Sequence, residues 1–419
     1  MSFHHHRLEN GLQIVGEISP RARSVALGFF VRTGARDEPL AVSGVSHFLE
    51  HMIFKGTPHR TALEVNRDFD RIGADYNAFT SEENTVFYAA VLPEYLPRAV
   101  DILSDILRPS LRPEDFDVEK KVIIEEIGMY EDQPMSSAFD QARHLYFAGH
   151  PLGQSILGTK ESVGGLSREQ MHDYFRRRYA ASNVVVAAAG KYDWDELVAL
   201  VGRHCGGWEA GPTGRQEVCE APGSCGFRVV RKEQVTQEHV IVMSPGPAAD
   251  SPLRHAATTL ALAVGDDSGS RLYWALVDPG RADSADTGFQ DYEGTGAFYT
   301  AFSGEPELAQ ENLDIVHDVL HGVQREGITA EELQQAKSKI LSRLVRAGER
   351  PKGRMRALGM DWIYLHEYWS VDDDLRAYDA VTLDKVREVL DRYPIDRTTT
   401  LALGPLAELH PDDGNGKAR

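Results

Sequence analysis

The sequence is poor in cysteine, has no surplus of positive charge and contains no long apolar run. Its three cysteines, Cys205, Cys219 and Cys225, are an odd, clustered set that builds no disulfide framework, which points to a reducing cytoplasm. Forty-five Lys and Arg against 64 Asp and Glu leave a formal net charge of −19. Such a balance argues against nucleic acid or an anionic membrane as the main partner. No apolar stretch is long enough to span a bilayer. The start, MSFHHHRLENGLQIVGE, lacks both a basic segment followed by an apolar one and an Arg-rich presequence. A cytoplasmic protein is expected. His4, His5 and His6 lead into a strand and are not expected to bind metal.

What is present is enough chain for more than one core: 419 residues suggest two to three domains. Strand patterns (GLQIVGEI, SVALGFFV) and helical ones (AVSGVSHFLEHMIF, PEDFDVEKKVIIEEIGMYED) come in blocks rather than in strict alternation, an α+β signature. A Gly/Pro-rich stretch then interrupts the chain, after which a similar order of elements returns. The expected organisation is a first domain over 1–210, a linker over 211–226, a related second domain over 227–408, and a polar tail over 409–419.

The chemistry is concentrated in GVSHFLEHMIFKGT, residues 44–57. On a helix, His47, Glu50 and His51 stand at i, i+3 and i+4 and share one face. Two imidazoles one turn apart both reach a single Zn²⁺ at about 2.0–2.1 Å. A carboxylate beside them, left off the metal, is placed to act as a general base. The order is H-x-x-E-H, the reverse of the commoner H-E-x-x-H. The bland alternative is a buried face that carries histidines, but an unpaired carboxylate there is costly. A catalytic zinc needs a third protein ligand, and EKKVIIEE supplies candidates. Spacing alone leaves Glu119, Glu125 and Glu126 open, beside the possibility of a solvated acidic face.

HFLEHMIFKGT, ADYNAFTSEENTVFY, EKKVIIEEIGMYEDQP and GHPLGQSILGTKES together resemble the pitrilysin and mitochondrial-processing-peptidase-like family of zinc peptidases, in its bacterial half-length form. The resemblance runs over nearly the whole chain and is weaker in GSRLYWAL and GITAEELQQAKSKI. It implies two related α/β-sandwich-like domains, each an antiparallel-rich sheet with helices, related by a pseudo-twofold repeat and forming half of a clamshell chamber. It also implies a zinc-dependent metalloendopeptidase acting on peptides or unfolded segments. Seventy-four residues separate His51 from Glu126, with Glu119 seven before it. That is the family's spacing, so the resemblance selects His47, His51 and Glu126 as zinc ligands, Glu50 as general base and Glu119 as a residue that orients the ligands. Tyr76, Asn77 and Ala78 match the edge strand on which an extended substrate adds.

One departure concerns partners. The family's other half usually offers an arginine and, seven residues on, a tyrosine; the matching positions here are Val277 and Ser284, with Arg281 and Tyr292 nearby at the wrong spacing. The chain is therefore expected to work as a homodimer, or as a heterodimer with a related chain supplying the Arg/Tyr pair. The alternative is a non-catalytic structural or peptide-binding subunit on the same fold.

Overall fold

The computed structural model describes residues 1–211, 215, 221 and 223–411. Cys219, most of the expected linker and residues 412–419 of the expected tail lie outside the described residues.

The first part of the chain runs β1 (Ser2–Arg7), β2 (Gln13–Ile18), β3 (Val25–Val31), α1 (Val45–Ile53), α2 (Ala62–Arg71), β4 (Asp75–Thr80), β5 (Thr85–Val91), α3 (Leu96–Ile106), α4 (Pro113–Asp132), α5 (Pro134–Tyr146), α6 (Lys160–Gly165), α7 (Arg168–Arg178), β6 (Val184–Gly190) and α8 (Trp194–Cys205). The second runs β7 (Phe227–Arg231), β8 (Glu238–Gly246), α9 (Arg254–Val264), β9 (Ser284–Tyr292), β10 (Thr295–Gly304), α10 (Ala309–Glu326), α11 (Ala330–Gly348), α12 (Pro351–Leu365), α13 (Val371–Asp379), α14 (Leu383–Arg392) and β11 (Thr399–Gly404).

The strands form two sheets, ordered β1-β2-β6-β3-β5-β4 and β7-β11-β8-β10-β9. Apart from the extra β1 the two are wired alike. In each, the last strand of the repeat inserts parallel beside the first (β6 on β2, β11 on β7), and every other pairing is antiparallel. The repeat expected from element order is thus a repeat of connectivity. β3 and β6 are buried along their whole length, which is why they read as near-continuous apolar runs rather than alternating ones.

The chain divides into two compact units, and the division does not follow the linear order. The first unit comprises Met1–Gly128, Gln154–Glu217 and Val345–Ser370; the second comprises Met129–Gly153, Val218–Leu344 and Val371–Arg419. The first sheet packs α1, α3 and α8 against one face, around Phe29, Phe48, Phe69 and Phe87. Its other face is covered by α12, whose Met355, Leu358, Trp362 and Ile363 meet Val15, Phe30, Val86 and Val185. Contact is close enough to require glycine: a Cβ on Gly359 would lie 2.3 Å from Phe30 Cζ. In the second unit α5 does the same work, with Ala138, Ala142 and Tyr146 against Ile241, Met243, Leu401 and Leu403. Each sheet is therefore covered by a helix from the other half of the sequence.

Cys205 is buried and unpaired, and Cys225 is exposed and unpaired. Among the described residues no helix is long and apolar enough to cross a membrane.

Candidate metal centre

α1 buries Val45, Phe48, Leu49, Met52 and Ile53, a stripe at i, i+3, i+4, i+7 and i+8. That stripe fixes the rotation of the helix and sets His47, Glu50 and His51 along its flank. The entry to the helix is fixed by Glu38. Its buried carboxylate accepts hydrogen bonds from the backbone N–H of Gly44 at 2.6 Å and of Ser46 at 2.7 Å. Two donors that a helix start leaves open are satisfied in this way. Gly44 itself has φ +89°, and a Cβ there would meet the Leu157 carbonyl oxygen at 2.5 Å. The Tyr174 hydroxyl joins Ser46 Oγ at 2.7 Å to Thr33 Oγ1 at 2.6 Å, fastening the first turn of α1 to the end of β3.

The third group comes from α4. Its buried stripe is Phe116, Glu119, Ile123 and Ile127, so a carboxylate occupies an otherwise apolar position. Glu119 is 3% exposed and doubly paired, to His51 Nδ1 at 2.9 Å and to Lys55 Nζ at 2.6 Å. Glu126, half-buried two turns on, brings Oε1 to 3.8 Å from His47 Nε2 and Oε2 to 3.6 Å from His51 Nε2. One ligand atom from each of His47, His51 and Glu126 lies within 4.8 Å of the other two. Glu125 is exposed and outside this group.

These separations are too long for hydrogen bonds, but two donors on one tetrahedral zinc stand about 3.4 Å apart, so the group has the spacing a metal needs. The protonation chemistry of His47 fits as well. Burial, with His51 adding to it, pulls the His47 pKa down to about 3 and keeps that imidazole neutral with a lone pair to give. Burial also opposes charge on His51. The hydrogen bond that its Nδ1–H donates to Glu119 and the negative charges of Glu126, Glu119 and Glu50 outweigh it and raise the pKa. For Glu119 burial opposes the charged form, yet His51 and Lys55 hold the carboxyl below its usual range. With Lys55 answering Glu119, the carboxyl groups of Glu50 and Glu126 remain beside the two imidazoles, and a divalent cation there would balance them. A carboxylate on the far nitrogen of a ligating histidine is the arrangement that fixes its tautomer and orientation.

Glu50 points to a different partner. The Thr80 hydroxyl donates to its Oε2 at 2.6 Å. Burial raises the Glu50 pKa and Glu126 adds to the rise, while Thr80 and His51 oppose it. Thr80 and Glu38 carry no short-range sequence signal for these roles and meet the motif only through tertiary packing, whereas Lys55 follows His51 by four residues.

Thr80 is the last residue of β4, and β4 is the edge of the first sheet, paired to β5 alone. Tyr76 is half-buried, its ring stacked on Phe69 at 4.0 Å and its hydroxyl donating to Asn66. Asn77 is exposed, and its Oδ1 accepts from the Ala78 N–H at 2.9 Å. Ala78 lies opposite Phe87. In the second unit Val277 closes the helical turn after Leu272, and Ser284 opens β9 with its hydroxyl on Ser303 at 3.0 Å. Arg281 is engaged by Glu311 and Asn312, and Tyr292 is buried.

Two sheets of the same connectivity, one of them carrying an H-x-x-E-H helix, define the class of zinc peptidases with the inverted motif. Comparisons with known proteins agree. Residues 13–160 match the family described as insulinase (peptidase family M16), and residues 165–340 match the peptidase M16 inactive domain. The chain belongs to peptidase family M16. It is 34% identical over 407 residues to an uncharacterized zinc protease of Mycobacterium tuberculosis, covering 95% of this chain and 92% of the relative. It is 29% identical over 416 residues to the mitochondrial-processing peptidase subunit beta of Lentinula edodes, covering 94% and 88%. The fold is that of the peptidase M16 inactive domain structure from Pseudomonas fluorescens, at a TM-score of 0.90 and 17% identity over 98% of this chain and 100% of that one.

Proposed function

We propose that this chain is a zinc-dependent endopeptidase of peptides or unfolded segments, with His47, His51 and Glu126 holding the metal and Glu50 as general base. The observation that carries the reading is the convergence of His47 Nε2, His51 Nε2 and the Glu126 carboxylate, with Glu50 beside them and fastened to Thr80. The M16 relatives named zinc proteases support it at the level of the family.

Zinc held there would supply a Lewis acid and a bound water of lowered pKa. The chain's own residues do the rest. Glu50, its pKa raised by burial, takes a proton from the attacking water and returns it to the leaving amine. Thr80 keeps the accepting oxygen in place. Glu119, itself anchored by Lys55, holds the His51 ring so that Nε2 faces the metal position. The outer edge of β4 offers the backbone groups of alternate residues along Tyr76, Asn77 and Ala78 to an extended substrate, which would displace the Asn77 side chain from the Ala78 N–H and would tolerate varied sequence. Since the Tyr76 side chain is spent on Phe69 and Asn66, recognition there runs through the main chain and Asn77.

The half-length chain with Val277 and Ser284 in place of an Arg/Tyr pair favours action as a zinc-bearing subunit of a dimer, as the subunit name of the Lentinula relative also suggests. The deciding experiment is Glu50→Gln. The variant is expected to keep one zinc per chain and to lose hydrolysis of an unfolded substrate. Cleavage at the parent rate would overturn the mechanism, and absence of cleavage by the parent, alone and with a related chain, would favour the non-catalytic subunit.

A further inference from the structure

Apart from the metal group, the first unit carries a cleft of about 740 Å³ between α2, α3, the turn at Pro58–Arg60 and the C-terminal end of α8. In a chain of net charge −19, this concavity is lined by six arginines: Arg60, Arg67, Arg71, Arg98, Arg108 and Arg203. Four carboxylates stand against them, Glu64, Asp68, Asp101 and Asp105, so six less four leaves two positive charges. Gathering like charges in one concavity is unfavourable unless something answers them.

The carboxylates answer only some. Asp68 accepts from Arg60 at 3.0 Å, Arg71 at 2.9 Å and Arg98 at 2.8 Å. Asp101 accepts from Arg60 and Arg98, both at 2.6 Å. Asp105 accepts from Arg60 at 2.7 Å and from the Thr57 hydroxyl at 2.7 Å. Glu64 is turned to its own helix start, where Thr61 donates to it. Arg67 on α2 and Arg203 on α8 make no hydrogen bond, ion pair or ring contact among the described residues. Arg108 makes no hydrogen bond to a carboxylate, although the charge of Glu209 acts on it. It donates to the carbonyls of Leu107 at 2.6 Å and Tyr179 at 3.2 Å and lies 3.5 Å over the Trp208 ring. Burial pulls its pKa down to about 10.

The acidic residues thus array Arg60, Arg71 and Arg98, and leave Arg67 and Arg203, on separate helices, without an anion, with Arg108 hydrogen-bonded to carbonyl oxygens alone. A guanidinium fork is shaped for the oxygens of phosphate. The volume is well beyond a lone phosphate and inside the range of about 300–1,000 Å³ of small-molecule sites. We propose that this cleft binds a small phosphorylated molecule carrying at least two negative charges, with Arg67 and Arg203 as its principal clamps and Arg108 as a third contact. The concavity favours a compact soluble ligand over a flat lipid surface or an extended acidic peptide.

The test is isothermal titration of the full chain with inorganic phosphate and with a bisphosphorylated sugar, in chloride of matched ionic strength. Saturable binding is expected, tighter for the bisphosphate by about tenfold or more. Arg67→Ala/Arg203→Ala should weaken it by at least about tenfold, and Arg67→Lys/Arg203→Lys should restore part of the loss. Both side chains are exposed and unpartnered, so equal melting temperatures in phosphate-free buffer show that the fold is intact. Heats no larger than those of chloride alone, parental affinity in the double alanine variant, or tighter binding of a glutamate-rich peptide than of the bisphosphate would each overturn the proposal.

Discussion

The Thr80 hydroxyl donates a 2.6 Å hydrogen bond to Glu50, so the last residue of the sheet's edge strand grips the carboxylate that separates the two histidines in sequence. The position of the strand and that of the proposed general base are therefore coupled. Thr80→Val removes the donor with little change of shape. A hydrogen bond to a charged acceptor is worth about 1.5–3 kcal/mol, so kcat is expected to fall by roughly ten- to a hundredfold with zinc content unchanged. Metal analysis alongside steady-state kinetics reads both.

Glu119 is expected to govern metal affinity rather than chemistry. It meets His51 Nδ1 at 2.9 Å and Lys55 Nζ at 2.6 Å from a buried position. Glu119→Gln keeps the volume and loses the charge. Zinc affinity should drop by about 10–100-fold, measured by competition with a chelator. Unchanged affinity would show that the pairing is structural only.

In the second unit, His255 is buried edge-on against Tyr378 at 4.7 Å, and burial pulls its pKa down from 6.5 to about 4. The folded chain then binds fewer protons than the unfolded chain across that window. Stability is full above pH 6.5 and falls as pH drops from 6.5 to 4, by about 3 kcal/mol at most, levelling off below that. His255→Gln should flatten the fall in melting temperature between pH 6.5 and 4 relative to the parent. An identical pH profile in the two proteins would remove His255 from the account.

Gly359 tests the seat of α12. A Cβ there would lie 2.3 Å from Phe30 Cζ, inside any allowed contact. Gly359→Ala should destabilise the protein by about 1–3 kcal/mol, although alanine favours the helix. A melting temperature at or above the parent's would mean that α12 shifts freely on the sheet.

How much of this was legible in the sequence depends on range. His47, Glu50 and His51 were readable because a helix turns neighbours in sequence into neighbours in space. The residues alone left the third ligand open, and it was the family's spacing that selected Glu126. Glu119, Glu125 and Glu126 share one acidic, partly apolar segment, and their own spacing does not say which carboxylate faces α1. In the fold they separate into buried and paired, exposed, and convergent on the histidines. The repeat was visible as element order, but the parallel insertion of β6 beside β2 and of β11 beside β7 joins residues far apart in the chain. Thr80 and Glu38 are ordinary polar residues until packing brings them to α1.

The exchange of α5 and α12 has a consequence for the order of events at the ribosome. All six strands of the first sheet have been made once Gly190 emerges, yet the side chains that cover Val15, Phe30, Val86 and Val185 arrive only with Pro351–Leu365. For that interval of synthesis the nascent sheet carries a bare greasy face, and the helix made early for the second sheet waits for strands not yet translated. The two units are obliged to finish together, so neither is a candidate for stable expression alone, and the unfinished chain is the form most in need of a chaperone.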